Sequence, residues 1–162
     1  MWVKGAIKQD NTNELYTIAY ERALKHRRSS NTEQSHVEML HAEMLQLYAF
    51  WSHFLCRNFN PTMYSEFKRF AAEDAEKNVM DGVKHLVAYY DNCLQDKKKV
   101  IPDFLARDYV TLVKKELAQA DKSDRIALKK LRSAWRDGAL DLRSRKKIGD
   151  LAGAELKEEL EQ

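Results

Sequence analysis

Turn-forming residues are scarce in this chain of 162 residues, which has 5 glycines and 2 prolines. That is too few for the many tight turns of an all-β fold, and no alternating apolar–polar run supports strands. The glycines are isolated, so no glycine-rich phosphate loop exists. The 2 cysteines, Cys56 and Cys93, are too few for a disulfide framework and fall on separate predicted helices without metal-type spacing. They read as reduced, buried thiols of a cytoplasmic or nuclear protein. No stretch approaches the ~20 apolar residues that cross a bilayer, and the first residues carry no signal-peptide pattern. Charge of one sign is also lacking. Lys and Arg total 28 against 25 Asp and Glu, a net charge of +3 that does not by itself demand a nucleic-acid partner.

Catalytic constellations are equally sparse. The histidines have no serine or cysteine partner at a recognisable spacing, and His53 beside Cys56 is a one-turn neighbour of the packing kind. Glu38-x-x-His41 has the spacing of di-iron bundles but lacks the second motif and the facing glutamates such sites need. The expectation is therefore no enzyme, no metal and no cofactor.

What is present is helical periodicity. Apolar residues make up 44% of the chain and charged residues 33%, the balance of a globular all-α protein with a heavily charged surface. Phe50, Trp51, Phe54 and Leu55 form one helical stripe, and Met63, Tyr64, Phe67, Phe70 and Ala71 form another. Asn60-Pro61 stands between them, where Pro61 presets the first turn of a new helix. Neither stripe can be buried without stacking on neighbours, the mark of a helical hairpin in a repeat array.

Helices are expected over about 13–28, 33–57, 61–77, 80–96 and 102–120. A sixth starts at Ser123 as N-cap and ends near Gly138 or Gly149. Leu15, Ile18, Ala19 and Ala23 point inward in the first, and Asn31 or Thr32 caps the second. Phe50, Leu55 and Phe67 recur as Tyr89, Leu94 and Phe104, a spacing of about 38 residues, and Asn60-Pro61 recurs as Ile101-Pro102. The fold expected is all-α, with about three stacked helix-hairpin-helix (HEAT-like) units and six or more helices. Its parts are a flexible lead-in at 1–13, a helical-repeat domain at 14–149 and an acidic C-terminal helix or tail at 150–162.

Phe50-Trp51-Ser52, Phe54-Leu55, Phe59-Asn60, Met63-Tyr64, Glu66-Phe67 and Glu73-Asp74-Ala75 resemble the first-to-second repeat junction of the C-terminal DM-repeat region of La-related protein 1. Gly82 and the segment Leu15-Tyr16 to Leu24-Lys25 fit the same pattern. Leu128, Leu131 and Trp135 keep a spacing like that of the family's last repeat. The resemblance implies a HEAT-like stack that binds the 5′ cap and first nucleotide of mRNAs opening with a pyrimidine tract, in translational control.

The pocket chemistry implied by that family is not carried over. Its arginine, phenylalanine and second arginine on the second helix are Ala49, His53 and Cys56 here. Its arginine, stacking tyrosine and guanine-reading glutamate on the fourth helix are Ala88, Asn92 and Gln95, and a further stacking tyrosine aligns loosely with Leu140. A methylated guanine needs aromatic faces and a carboxylate, and phosphates need the arginines. Tyr89, near Asn92 on the helix, is a candidate stacking residue, with a core or groove-lining role as its alternative.

Basic residues give a second candidate. Arg125, Lys129, Arg132 and Arg136 are spaced 4, 3 and 4 apart and share one helix face, while Leu128, Leu131, Trp135 and Leu142 line another. Such a strip can track phosphates, although Asp124, Asp137 and Asp141 interrupt it. Two functions follow as expectations. One is an RNA-binding repeat module acting on mRNA translation or stability, with a degenerate cap pocket. The other is a protein-interaction module whose groove, between the second and fourth helices, takes a partner protein. Neither involves a membrane.

Overall fold

Residues 16–28, 34–119 and 125–162 are described by the computed structural model, and among them every regular element is helical. The lead-in at 1–13, Leu15, Asn31, Thr32, Ser123 and Asp124, and the Glu38 side chain, lie outside the described residues. Two compact units divide the chain, Met1–Trp51 and Ser52–Gln162. Helix α1 covers 16–28. It is followed by α2 (Gln34–Arg57), α3 (Pro61–Glu76), α4 (Asp81–Leu94), α5 (Asp103–Ala118), α6 (Ile126–Asp137) and α7 (Leu142–Glu161).

In the first unit, α1 and the leading part of α2 form an antiparallel hairpin. At one end the Tyr16 ring stacks on Phe50 at 4.8 Å, and the Trp51 indole N–H donates to the Tyr16 hydroxyl at 3.0 Å. At the other, His26 Nδ1 lies 2.6 Å from Glu43 Oε2. Ala23, Met44, Leu47, Tyr48 and Trp51 are buried. Ile18, expected inward, is 50% exposed, because it lies five residues and about 140° of helix rotation from the fully buried Ala23.

The second unit holds α3 to α7 and the end of α2. The Asn-Pro turn behaves as its chemistry dictates. The Asn60 side chain accepts from the Met63 N–H at 3.1 Å, and Pro61 occupies the first helical turn, where a missing N–H costs nothing. Helix α3 ends at Glu76 with Lys77 as its C-cap, and the next residue, Asn78, is left-handed with a φ of 62°, while the Val79 N–H returns to the Asp74 carbonyl at 2.9 Å. Asparagine is the residue besides glycine that accepts this conformation readily.

Helix α3 packs on α4, α4 on α5 and α6, and α5, α6 and α7 on one another. Phe67, Leu86, Tyr89, Tyr90, Leu94, Tyr109 and Val113 are buried at the centre. Tyr90 stacks on Tyr109 at 5.3 Å, and Tyr64 meets both Tyr89 and Tyr90 at about 6 Å. Buried hydroxyls need partners, and Tyr64 has two: the Tyr90 oxygen at 2.7 Å and Asp108 Oδ2 at 2.6 Å. Burial pushes both phenols well above the usual tyrosine range, so they stay protonated.

Of the two ends expected for the sixth helix, Gly138 is the one the structure shows. The sixth helix stops at Asp137, and a seventh begins at Leu142 with Asp141 as its cap, accepting from the Arg143 N–H. Leu142 therefore does not continue the apolar line of Trp135. It opens a different helix and is 81% exposed. Helix α7 is kinked at Gly153, whose φ of 76° and ψ of 176° belong to a region only glycine enters freely. The acidic segment 150–161 is the second half of this helix.

Two remote contacts hold α6 and α7. The buried Glu116 carboxylate on α5 accepts from the Ala127 and Leu128 N–H groups, both at 2.9 Å, and so closes the open N-terminus of α6. The fully buried Ser144 hydroxyl accepts from the Ile101 N–H at 3.0 Å, and Lys147 donates to the Ile101 carbonyl at 3.0 Å. The Ile-Pro junction before α5 is thus clamped by α7.

Candidate nucleic-acid interface

Positions 53 and 56 near the end of α2, and 88, 92 and 95 around α4, are each one helical turn apart, so each set follows one helix face. The packing brings three of them together. Cys56, Asn92 and Gln95 line a pocket of about 350 Å³ with Cys93 and Asp96. His53 is exposed one turn before Cys56, close enough to His85 on α4 for their charges to interact. Ala88 is half-buried, and Ala49 is half-buried within the first unit. Leu140, in the joint between α6 and α7, is half-buried as well.

This pocket presents thiols, amides and one carboxylate. No aromatic face and no guanidinium line it among the described residues. The Gln95 amide is already engaged, donating to Asp91 Oδ2 at 2.8 Å. Tyr89 corrects the stacking expectation. It is 1% exposed, wedged among Tyr64, Phe67 and Tyr90, so its ring offers no face to a base. Helical spacing puts Tyr89 about one turn from Asn92, but the packing of α4 on α3 and α5 decides which side of it faces the core.

The basic strip is on α6 and its N-cap, and its four members differ. Arg125 is half-buried at the N-cap, with Nε enclosed and without a hydrogen-bond partner. Arg132 is anchored to α7, donating to the Glu159 carbonyl at 3.0 Å and lying 3.4 Å from its carboxylate. Lys129 and Arg136 are exposed. Arg125 and Lys129 also favour the ionised form of Glu116, although burial dominates and holds that carboxyl above its ordinary range. Lys130, also exposed, lies 4.0 Å from the buried Asp91.

The cations of α7 are mostly matched. Arg143 pairs with Asp141 at 3.0 Å, Lys146 with Asp150 at 2.8 Å and Lys147 with Asp103 at 2.6 Å. Their partners hold Asp103, Asp141 and Asp150 below the usual carboxylate range. Arg145 lies 3.9 Å over the Trp135 ring and donates to the Trp135 carbonyl at 2.7 Å. Lys129 and Arg136 are therefore the outermost members of the strip, with Arg132 and Arg125 set deeper.

A third feature is an apolar groove. A groove of about 490 Å³ runs between α3, α4 and α5, floored by Ala71, Ala75, Val83, Leu86 and Leu112. Lys68 stands at its edge, bonded to Asp108 at 3.1 Å and 4.6 Å over the Tyr64 ring. The alanines of α3 were the available signal, since small residues on an otherwise aromatic helix leave room beside it.

No helix among the described residues is long and apolar enough to cross a membrane, and no three of their His, Cys, Asp or Glu side chains converge as a metal site would need. The family model of the LARP1 HEAT repeat region matches residues 6–130. The match takes in α1 to α5 and the start of α6, including Arg125 and Lys129, and stops short of Arg132, Arg136 and α7. With most of its length so matched and a helical-hairpin architecture to go with it, this chain belongs to the LARP1 HEAT-repeat family.

Proposed function

We propose that this is an RNA-binding helical-repeat module of the La-related protein 1 type, acting on mRNA translation or stability in the cytoplasm, with a degenerate cap pocket. Family membership supports the helical module. The observation that carries the reading further is the exposed pair Lys129 and Arg136 on one face of α6, facing solvent while most cations of α7 are matched by carboxylates. Phosphate contact by such cations releases counterions, so binding is salt-sensitive and tolerant of sequence. The pocket of Cys56, Asn92 and Gln95 supplies neither the stacking faces nor the positive charge that a methylated cap and its phosphates require.

The test is a fluorescence-anisotropy titration of single-stranded RNA at two salt concentrations, with wild type and K129E/R136E. Each single-strand phosphate contact contributes about 0.7 to the slope of log affinity against log salt, so losing two flattens it by about 1.4. Unchanged affinity and slope in the double variant, or no RNA binding by the wild type at low salt, overturns the reading.

A second reading is favoured by the groove between α3, α4 and α5. Its apolar floor suits a partner protein's helix or extended peptide better than a phosphate chain. Under this reading the module keeps the repeat scaffold without RNA contact, and the same titration gives no RNA binding.

A further inference from the structure

Cys56 is the penultimate residue of α2 and Cys93 the penultimate residue of α4, and both open onto the same pocket of about 350 Å³. Cys56 is exposed and Cys93 half-buried, and both are free thiols. Their side chains are within hydrogen-bonding reach of each other. The Cys56 thiol also donates to the Ser52 carbonyl at 3.2 Å, and the Tyr89 hydroxyl reaches Cys93 from the core side. Thirty-odd residues of chain separate the two sulfurs, yet helix packing delivers them to one spot. We propose that Cys56 and Cys93 are a peroxide-sensitive thiol pair that closes to an intramolecular disulfide, tying the ends of α2 and α4 together across the pocket.

The two thiols are not equivalent, and the difference assigns their roles. The hydrogen bond from Cys93, with help from the Arg57 charge, outweighs burial and Asp96 and brings Cys56 down to about 7. The same hydrogen bond and burial push Cys93 up, since Cys93 gives the proton. Cys56 is thus the accessible thiolate and Cys93 the resolving thiol beside it. In the first step the Cys56 thiolate attacks one peroxide oxygen. The S–O bond forms, the O–O bond breaks, and the departing hydroxide takes up a proton as water, leaving Cys56 as a sulfenic acid. Cys93 then attacks the Cys56 sulfur. Its proton goes to the departing hydroxyl, the S–O bond breaks, the S–S bond forms and a second water leaves. Two thiols give up two electrons, and one peroxide is reduced to two waters. A thiol reductant reverses the closure by exchange. The pair does not depend on whether the module binds RNA.

The test is treatment of the reduced full chain with hydrogen peroxide, then alkylation under denaturing conditions, intact mass measurement and peptide mapping. The expected product has lost two hydrogens and both alkylatable thiols, contains a cross-linked Cys56–Cys93 peptide, and returns to the dithiol with dithiothreitol. In Cys93→Ser, Cys56 accumulates as a sulfenic acid captured by a dimedone-type probe, at a rate that rises with pH as its thiolate forms, and over a higher pH range than in the wild type because the Cys93 hydrogen bond is gone. In Cys56→Ser, the remaining thiol reacts roughly tenfold more slowly, because Cys93 is half-buried and burial alone still pushes its thiol up. Two alkylatable thiols persisting in the treated wild type, a disulfide formed only between molecules, or equal peroxide reactivity of the two single variants overturns the proposal. The wild-type result decides the matter even where a variant folds poorly.

Discussion

The pocket at the ends of α2 and α4 and the solvent face of α6 belong to one unit and present opposite chemistry. The pocket has concavity without positive charge or rings: Cys56, Asn92, Cys93, Gln95 and Asp96 line about 350 Å³. The α6 face has charge without concavity, with Lys129 and Arg136 exposed on a convex helix and Arg132 tied to Glu159. A concave site with placed polar groups can be selective, whereas a charged helix face binds phosphate chains of any sequence. The repeat scaffold is that of the family, and under the proposed reading its concave site carries different side chains. Scaffold and recognition chemistry are therefore separable, and variants in each should separate experimentally.

The largest effect is expected in the scaffold. Trp51 is fully buried and its indole N–H is bonded to Tyr16, so Trp51→Ala should cost about 3–5 kcal/mol. Denaturant melts check this, and a loss under ~1 kcal/mol would contradict the assigned packing of the first hairpin. Next comes Glu116→Ala, which strips two buried N–H groups of α6 of their acceptor and should cost about 2–3 kcal/mol. This variant also bears on the comparison, because α6 carries the exposed cations. Fraying of α6 in hydrogen exchange, ahead of α3 and α4, is the expected signature. Gly153→Ala should cost about 1–2 kcal/mol through backbone strain alone, since a Cβ there meets no atom within 4 Å. A neutral or stabilising Gly153→Ala in melts would contradict the kink.

Much of the scaffold was legible in the sequence, and the reason is local chemistry. Asn60-Pro61 is a self-contained cap and helix start, so its role needed no tertiary information. The stripe through Trp51, Leu55 and Phe67 is equally local, and these residues are buried. What escaped is what only packing decides. Tyr89 and Asn92 share a stretch of α4, but the positions of α3 and α5 determine which of them faces the core. Gly138 and Gly149 were both possible ends of the sixth helix, and only with the break at Gly138 does Leu142 leave the apolar line of Trp135 and open a separate helix. Glu116 closes a helix that begins ten residues downstream, and Cys56 meets Cys93 from a different hairpin. No periodicity within one helix encodes either contact.

The smallest stability effects are expected at the two faces themselves, and there the comparison is sharpest. His53→Ala/Asn92→Ala and K129E/R136E should each change stability by under ~0.5 kcal/mol, because all four side chains are exposed. Their effects on RNA should diverge. The pocket pair should leave affinity within about twofold, while the charge reversal should weaken binding to every sequence tested and flatten its salt dependence. Equal effects in anisotropy titrations would erase the distinction between the two faces.

The most direct measurement is a paired titration of one RNA, with and without a methylated 5′ cap, into the wild-type protein at two salt concentrations. Equal affinities for the two RNAs, both falling as salt rises, are the expected result, because the pocket of Cys56, Asn92 and Gln95 gives the cap nothing to stack on. A preference for the capped RNA of about tenfold or more, equivalent to about 1.4 kcal/mol and persisting at the higher salt, would contradict a binding mode built on the cations of α6.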